Sequence, residues 1–425
     1  MSKFKKINSW LHLWLGLISG IIVVNICLTG CIWMFNDEIN GLLKSETKTE
    51  QQDRAVLAPS VIKAIAEKEA PGMKMNYTIF QKGRTINAHL GEQKKTNVFL
   101  YINPYTGAIV RKEAHEPDET DFFSFILNGH RFLWMPSDIG RPIINYAVLT
   151  FVIILITGLI WWWPKKWNRK TRQQIFKVKW NASFKRVNYD LHNVLGFYAL
   201  LVLLCVALTG MVWGIKWYNE GVYWITSGGK SIQKAPKLQS DSTQAHKYYT
   251  AAQALDITFA AVAAKHPSSE GFFFSFPDTG KPKSIISITV YPNSGQFYNN
   301  RSYKFDQHTL RQLKGDEIYE SSFDAAPFAA KLRRMNYDIH IGTVLGFPGK
   351  VLVFCCTLIG ASLPITGFIM WWGRKFGKTK KTGKEQEDEV KKRKFLRRFK
   401  PLKKKKIATP VFPVKKTEEK ERINK

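Results

Sequence analysis

The stretch L-H-L-W-L-G (Leu11–Gly16) opens a long apolar run that ends in L-T-G at Leu28–Gly30. The pattern returns as L-H-N-V-L-G (Leu191–Gly196), and this second apolar run also ends in L-T-G, at Leu208–Gly210. The spacing from the histidine to the first glycine is the same in both stretches. The repetition indicates that the chain consists of two tandem copies of one unit.

A second correspondence extends the repeat. T-G-L-I-W-W-W-P-K-K (Thr157–Lys166) matches T-G-F-I-M-W-W-G-R-K (Thr366–Lys375), and a histidine precedes each Thr-Gly at nearly the same distance. Four of the nine histidines in the chain therefore occupy matched positions at the ends of apolar runs. They form two pairs: His12 with His192, and His130 with His340.

Four apolar runs are long enough to cross a hydrocarbon core about 30 Å thick, which takes roughly 20 residues of helix. Pro348 and Pro364 predict a break near the start of the last run and a kink later in it. We predict an N-terminus (1–11), a first membrane helix (12–35), a long segment (36–140), a second helix (141–163), a loop (164–188), a third helix (189–214), a second long segment (215–335), a fourth helix (340–372) and a basic tail (373–425).

The net charge of +31 is concentrated in three places. About half of it lies in the tail after Gly373, and most of the rest lies in Lys165–Arg186 and the first few residues. This distribution favours a membrane surface over nucleic acid as the partner. By the positive-inside rule, both termini and the middle loop are cytoplasmic and the two long segments are exported, as in a multi-pass protein of a bacterial inner membrane.

Each exported segment carries one helix signal followed by strand signals. Periodicity predicts a helix at Pro59–Glu69 in the first segment and another at Tyr249–Lys265 in the second. The predicted strands are Asn76–Phe80, Thr85–Leu90, Asn97–Ile102 and Ala108–Arg111, then Gly271–Phe276, Ser284–Val290 and Gln296–Phe305. The predicted fold is therefore a membrane α-helical protein of four helices from a tandem duplication, with two small exported α+β modules.

The other five histidines are not matched between the copies. His308 lies in a predicted hairpin turn, where a polar side chain is ordinary. The remaining four are interpreted as surface residues: His89, His115, His246 and His266.

Two tandem copies of the same orientation should pack about a pseudo-two-fold axis along the membrane normal. A histidine would then face its equivalent across that axis, which suits a flat cofactor with one axial site on each side. Haem iron is such a group, and neutral imidazole is among its usual ligands. The pattern therefore predicts two bis-histidine haems b, held by His12 with His192 and by His130 with His340.

Glycines and cations near the histidines fit this prediction, although each could also serve the packing or capping of helices. Gly16 and Gly196 follow their histidines by one helical turn, where a missing side chain leaves room for a porphyrin or for a neighbouring helix. Three arginines are candidates to form ion pairs with the haem propionates: Arg131, Arg186 and Arg334. The neighbouring Asp190 and Asp338 could equally be helix caps.

Zinc or copper is the alternative ligand for these histidines. Two histidines in each layer, without thiolate or carboxylate partners, make a poor zinc site. The separation of the two layers across the bilayer excludes a dinuclear centre.

The chain resembles the PepSY-associated transmembrane family, which includes iron-regulated inner-membrane proteins and ferrisiderophore reductases. The resemblance covers about residues 5–375. It is carried by the L-H-x-x-L-G helix entries, N-G-H-R (Asn128–Arg131), the T-G-[LF]-[IM]-W-W exits and the Y-I-N-P-Y-T-G turn typical of a PepSY module. The second module departs from that turn, with Gln307 in place of proline and Leu310 in place of glycine.

The resemblance implies a di-haem protein that reduces ferric siderophores, with His12, His130, His192 and His340 as ligands. We expect electrons to pass from the cytoplasmic pair to the outer pair and on to a ferric siderophore or another ferric chelate. No dinucleotide motif is present, so the donor is a separate cytoplasmic carrier or a quinol. The competing hypothesis is a non-enzymatic anchor whose PepSY modules bind or regulate a peptidase or envelope ligand.

Overall fold

The fold is known from a computed structural model that describes residues 2–376 apart from 93, 94, 118, 234, 246, 279, 316 and 317. Most of the predicted basic tail lies outside these residues. The helices are α1 (Lys3–Met34), α2 (Asn36–Leu43), α3 (Pro59–Glu69), α4 (Phe122–Phe132), α5 (Ser137–Trp162), α6 (Arg169–Phe176), α7 (Phe184–Asp190), α8 (Gly196–Gly214), α9 (Lys216–Thr226), α10 (Ala251–Lys265), α11 (Phe328–Ile341) and α12 (Gly346–Lys375). The strands are β1 (Met75–Gln81), β2 (Ile86–Gly91), β3 (Asn97–Ile102), β4 (Ile109–His115), β5 (Gly271–Ser275), β6 (Ile285–Tyr291), β7 (Arg301–Asp306) and β8 (Gln312–Leu313).

Four helical segments within the described residues are long and apolar enough to cross a membrane, and the protein is therefore a multi-pass membrane protein. They are Lys3–Met34, Ser137–Trp162, Phe184–Gly214 and Thr343–Lys375. The third joins α7 to α8 through one π-helical turn, Leu191–Leu195, which contains His192. Each segment contains most of a predicted membrane helix and begins or ends several residues beyond it.

One predicted boundary places a histidine on the wrong helix, because the fourth membrane helix was predicted to begin at His340. His130 is on α4 and His340 is on α11, so neither is on the membrane helix that follows it. The chain turns sharply after α4, where Leu133 and Trp134 have φ values of 54° and 56°. After α11 the break comes at Gly342, whose φ of 85° suits a residue without a side chain.

Pro364 lies inside α12, as the sequence suggested. Its Cβ would be 3.1 Å from a Cβ on Gly20 of α1. A larger residue than glycine at this position of α1 would therefore push the first and last membrane helices apart.

The strands form one antiparallel sheet, and this corrects the prediction of two separate modules. Its order is β4-β3-β2-β1-β5-β6-β7-β8, so β1 of the first long segment pairs with β5 of the second. Each of these strands would be an unpaired edge in a module that stood alone, and pairing satisfies both edges. The short β8 was not predicted.

Two helices cover one face of the sheet. Buried side chains of α3 and α10, such as Ile62 and Val262, pack against Phe274 and the other inward residues of the strands. The two helices are also joined directly, because the backbone N–H and the hydroxyl of Ser60 donate to the Asp256 carboxylate at 2.9 and 2.6 Å. The two long segments therefore share one hydrophobic core.

The two hairpin turns keep the same geometry despite different sequences. Asn103 Oδ1 accepts hydrogen bonds from two backbone N–H groups of its turn, and Asp306 Oδ1 does the same in the second turn. Leu310 has a φ of 58° where Gly107 has 76°. The substitutions in the second turn therefore leave its fold intact, and His308 lies in that turn as predicted.

The β1–β5 pairing can be tested by disulfide trapping. Ile79 and Phe273 face each other in the register, in a pair without mutual hydrogen bonds, for which a Cα separation of about 4.5 Å is suited to a disulfide. We expect the double variant Ile79→Cys, Phe273→Cys to cross-link, as detected by mass spectrometry of peptides before and after reduction.

The matched control is Ile79→Cys with Thr289→Cys. Thr289 lies opposite Phe273 on β6, one strand further away, and should give no cross-link. Equal cross-linking in both variants, or none in the first, would contradict the single sheet.

Candidate functional site

The first histidine pair is held by contacts between neighbouring membrane helices. His12 Nδ1 on α1 lies 3.1 Å from the Ile154 carbonyl and 3.1 Å from Thr157 Oγ1, both on α5. His192 Nδ1 lies 2.9 Å from Thr366 Oγ1 on α12. Each imidazole is therefore tied to a different helix from its own.

The second pair repeats these contacts with other helices. His130 Nδ1 on α4 lies 2.9 Å from the Ile26 carbonyl and 3.4 Å from Thr29 Oγ1 on α1. His340 Nδ1 on α11 lies 3.0 Å from the Val206 carbonyl and 3.0 Å from Thr209 Oγ1 on α8. All four histidines thus use Nδ1 to contact a threonine.

These contacts determine which ring nitrogen carries the proton. A carbonyl oxygen only accepts, so Nδ1 must donate in His12, His130 and His340. At His192 the Thr366 hydroxyl donates to backbone carbonyls of its own helix, so its oxygen accepts from the imidazole. In a neutral ring this leaves the lone pair on Nε2, the arrangement common among metal-binding histidines.

His130 and His340 also favour the neutral form. Burial lowers the pKa of His130, and burial together with the neighbouring His130 lowers the pKa of His340 to about 4. A neutral imidazole is the form that coordinates a metal.

The two members of each pair are neighbours, at a ring separation that would fit one metal ion between them. The ring centroids are 6.3 Å apart for His12 and His192 and 6.4 Å apart for His130 and His340. An imidazole nitrogen binds a metal at about 2.0 Å, and the ring centre lies roughly 1 Å further out, so two opposed ligands have centroids about 6 Å apart. The ring planes are inclined by 88° and 64°, respectively.

A glycine lies against each imidazole. A Cβ added to any of the four would meet the Cε1 atom of the ring at 3.0 to 3.4 Å. The pairs are Gly158 with His12, Gly367 with His192, Gly30 with His130 and Gly210 with His340. Each of the four Thr-Gly pairs therefore contacts one histidine. The threonine hydroxyl lies at Nδ1, and the glycine lies against the Cε1 atom of the ring.

The two pairs lie at different depths. On α1, His12 belongs to one pair and Thr29 contacts the other, and the helix between them is roughly 25 Å long. This length is close to the hydrocarbon thickness of about 30 Å. One pair therefore lies towards each end of the membrane helices.

Nothing in the described ranges offers zinc a fuller donor set. No group of three or more His, Cys, Asp or Glu side chains comes together there around a point that could hold a metal ion. A structural zinc site takes four protein ligands and a catalytic one three. Two imidazoles alone would better suit an ion that a macrocycle also binds.

The glycines and arginines predicted at the site have different surroundings. No atom lies within 4 Å of a Cβ built on Gly16, whereas Leu363 approaches within 3.4 Å of one on Gly196. Arg131 is exposed and lies over the Phe132 ring at 5.1 Å. Arg186 pairs with the buried Asp190 at 2.8 Å.

Arg334 is a structural residue, and we withdraw it as a candidate propionate partner. It is 3 % exposed, and its guanidinium donates to the carbonyls of Tyr298, Ser321 and Asn300 at 2.8, 3.1 and 2.5 Å. These bonds fasten the hairpin between β6 and β7 to α11. Most of its N–H groups are therefore used within the protein.

The unmatched histidines are not all surface residues. His89 is half-buried, with its ring centroid 4.7 Å from those of both Tyr77 and Phe99. His266 Nε2 lies 2.7 Å from Tyr303 Oη. The surface interpretation was wrong for these two because both are on or beside the sheet, and His246 lies outside the described residues.

The model for the PepSY-associated TM region matches residues 9–374. The chain belongs to the PepSY-associated TM family. A comparison with curated proteins found no match.

In this member of the PepSY-associated TM family, sequence reasoning missed the threonines as partners of the histidines. The signal was present, because Thr precedes Gly in all four matched motifs. What the sequence lacked was the identity of the helix that each motif would contact. The histidines on α4 and α11 come from short helices that the sequence analysis did not predict.

The packing of a glycine beneath each ring can be tested at Gly30. Its added Cβ would lie 3.0 Å from His130 Cε1, and overpacking of this kind typically costs about 1–3 kcal/mol. We expect Gly30→Ala to lower the thermal unfolding midpoint of the protein in detergent. Gly221→Ala is the control, because it lies in a helix with no atom within 4 Å of the new Cβ; a loss of stability equal to that of Gly30→Ala would refute the close contact.

Proposed function

We propose that the protein is a di-haem b oxidoreductase that transfers electrons across the membrane to reduce a ferric complex, such as a ferric siderophore, for iron uptake. The observation that carries the proposal is the pair of neighbouring imidazoles at each of two depths, with centroids 6.3 and 6.4 Å apart. His12 and His192 would hold one haem, and His130 and His340 the other. A haem with two imidazole ligands supplies reversible one-electron transfer at its iron.

The residues around each imidazole support this role. The threonine and carbonyl acceptors keep the proton on Nδ1, so Nε2 keeps its lone pair. The same hydrogen bonds prevent the imidazole from flipping about its Cβ–Cγ bond. The glycine beneath the ring lets the neighbouring helix approach closely. Because both partners of each bond are fixed to helices, the ligands are held in place before the cofactor binds.

The proposed orientation comes from the charge distribution. The N-terminus and the loop between α5 and α7 are rich in Lys and Arg, which favours the cytoplasmic side. The His12–His192 pair would then be the inner one, and the His130–His340 pair would lie on the periplasmic side with the sheet. The separation of the pairs supports electron transfer between the two membrane faces.

The proposed substrate is a ferric chelate rather than free iron. One electron converts Fe(III) to Fe(II), which hard oxygen ligands hold less firmly, so the chelate releases it. A quinol gives up two electrons and two protons and would reduce two ferric ions; a reduced flavin is the other class of donor that fits. No covalent intermediate with the protein is needed.

The competing function is a membrane anchor whose sheet binds a peptidase or another envelope ligand. An anchor accounts for the sheet, but it explains the contacts between the four Thr-Gly pairs and the histidines only as helix packing. The two functions differ in one measurable property, the haem content.

The cofactor proposal predicts the spectrum of the purified protein. We expect a reduced-minus-oxidised visible spectrum of low-spin haem b at two haems per chain. His12→Ala or His192→Ala should remove one haem, and His130→Ala or His340→Ala the other, while His308→Ala keeps both. A colourless wild-type protein from haem-replete cells would leave the anchor function.

The transfer of electrons across the membrane can be tested in lipid vesicles. Vesicles that contain the protein and enclose dithionite are given external ferric citrate and an impermeant Fe(II) dye. We expect Fe(II) to form outside with wild type and with His308→Ala, and both His12→Ala and His340→Ala to fall to the rate of protein-free vesicles. Activity in either histidine variant equal to wild type would contradict a relay that needs both pairs.

A further inference from the structure

Three of the four histidines have an asparagine one helical turn earlier on the same helix. Asn8, Asn188 and Asn336 stand four residues before His12, His192 and His340. All three asparagines are nearly fully buried within the described structure. A buried amide must find hydrogen-bond partners, because leaving it unpaired is costly in a membrane protein.

Each of these asparagines contacts the same threonine as its histidine. Asn8 Nδ2 donates to the Thr157 carbonyl at 3.0 Å, Asn188 Nδ2 to the Thr366 carbonyl at 3.0 Å, and Asn336 Nδ2 to the Thr209 carbonyl at 3.2 Å. The histidine holds the threonine hydroxyl and the asparagine holds its carbonyl. We call this two-point contact the asparagine clasp.

The fourth histidine has no such clasp. The residue four positions before His130 is Ile126, which is 7 % exposed. An asparagine is present on the opposite helix instead: Asn25 of α1 donates to the Gly129 carbonyl of α4 at 3.1 Å. The Nδ1-to-threonine distance at His130, 3.4 Å, is also the longest of the four.

The clasp fixes the rotation of one helix against another at the level of the ligand. A single Nδ1 bond lets the imidazole pivot about that bond, whereas a second bond one turn away restrains the helix that carries the ring. Both contacts converge on one threonine, so a rotation of the helix would strain both together. The clasp therefore controls the direction in which the ring plane points.

We propose that Asn8, Asn188 and Asn336 are positioning residues that set the ring orientation of the histidine one turn later. His12 and His192 are both clasped, so the inner pair is held symmetrically. In the outer pair His340 is clasped and His130 is not, which makes His130 the least constrained of the four ligands. This inference rests on the proposed function, because it concerns how the same histidines present their rings to haem.

The ring orientation has a spectroscopic signature. The angle between two axial imidazole planes determines the splitting of the iron dπ orbitals, and with it the anisotropy of the low-spin ferric signal in electron paramagnetic resonance. The inner planes are inclined by 88° and the outer planes by 64°. The two centres should therefore give separate signals, which His12→Ala and His130→Ala assign by removing one each.

The test compares Asn8→Leu, Asn188→Leu and Asn336→Leu in the full-length protein loaded with haem. Leucine branches at the same carbon as asparagine and cannot donate a hydrogen bond. We expect Asn8→Leu and Asn188→Leu to shift only the inner signal and Asn336→Leu only the outer one. Haem transfer from the affected centre to apomyoglobin should be about threefold faster, the factor that one interhelical hydrogen bond in a membrane typically contributes.

Asn193→Leu is the matched control. Asn193 is half-buried, adjoins His192 on the same helix turn, and donates within its own helix, to the Tyr189 carbonyl at 2.7 Å. It should leave both signals and the haem transfer rate unchanged. Asparagine variants that behave like this control, or that alter both centres equally, would overturn the proposal.

The second variant adds a clasp instead of removing one, and it keeps the proposal testable if the leucine variants fail to fold. Ile126→Asn places an amide one turn before His130, where it would restrain the orientation of that ring. We therefore expect it to narrow the electron paramagnetic resonance signal of the outer centre and to leave the signal of the inner centre unchanged. An outer signal that stays as broad as in wild type would count against the clasp. A wild-type protein without haem would refute the proposed function itself, which is a different result from haem-loaded variants that show no shift.

Discussion

The structure depends on the hydrogen bond that each matched histidine of the repeat donates from Nδ1 to the neighbouring helix. The hydrocarbon core provides no water to satisfy a polar ring, so every such ring must find an acceptor in the protein. The acceptors are a threonine hydroxyl and, at His12, His130 and His340, a backbone carbonyl as well. The same bond joins two helices and selects the ring nitrogen that keeps its lone pair, so helix packing and imidazole orientation have one physical cause.

This constraint explains the small residues of the membrane helices. A helix can approach an imidazole closely enough to hydrogen-bond Nδ1 only where it has no side chain beneath the ring, which is the position of glycine in each Thr-Gly. Glycine in these helices therefore makes room for the imidazoles themselves. Gly16 differs, because no protein atom lies near it.

The sheet links the two halves of the chain a second time. Pairing of β1 with β5 removes two exposed edges and places α3 and α10 over one core. The hairpin between β6 and β7 then returns to α11, where Phe297 N–H donates to Asp338 at 3.0 Å and Arg334 binds the hairpin carbonyls. The helix that carries His340 is thus held by the bundle on one side and by the sheet on the other.

Hydropathy and repetition were sufficient to predict the four membrane helices, because an apolar run of that length is stable only inside a bilayer. They also paired the histidines correctly, since the residues at matched positions of the sequence lie next to each other. The helices α4 and α11 were missed because they are short and are not among the long apolar runs that hydropathy identifies. The strand signals were nearly right in position but were divided between two modules, because periodicity identifies a strand and not its partner.

The sequence by itself determined which side chains were candidates: four histidines in two pairs, each with a Thr-Gly at a matched distance, on helices that must cross a membrane. Only the tertiary structure decided which Thr-Gly contacts which histidine, that Arg334 binds the hairpin, and that three of the four histidines have an asparagine clasp while His130 does not. The physical reason is that periodicity and composition describe the residues of one helix at a time. The choice of a hydrogen-bond partner depends on which helices lie side by side, and that is settled by the packing of the whole chain.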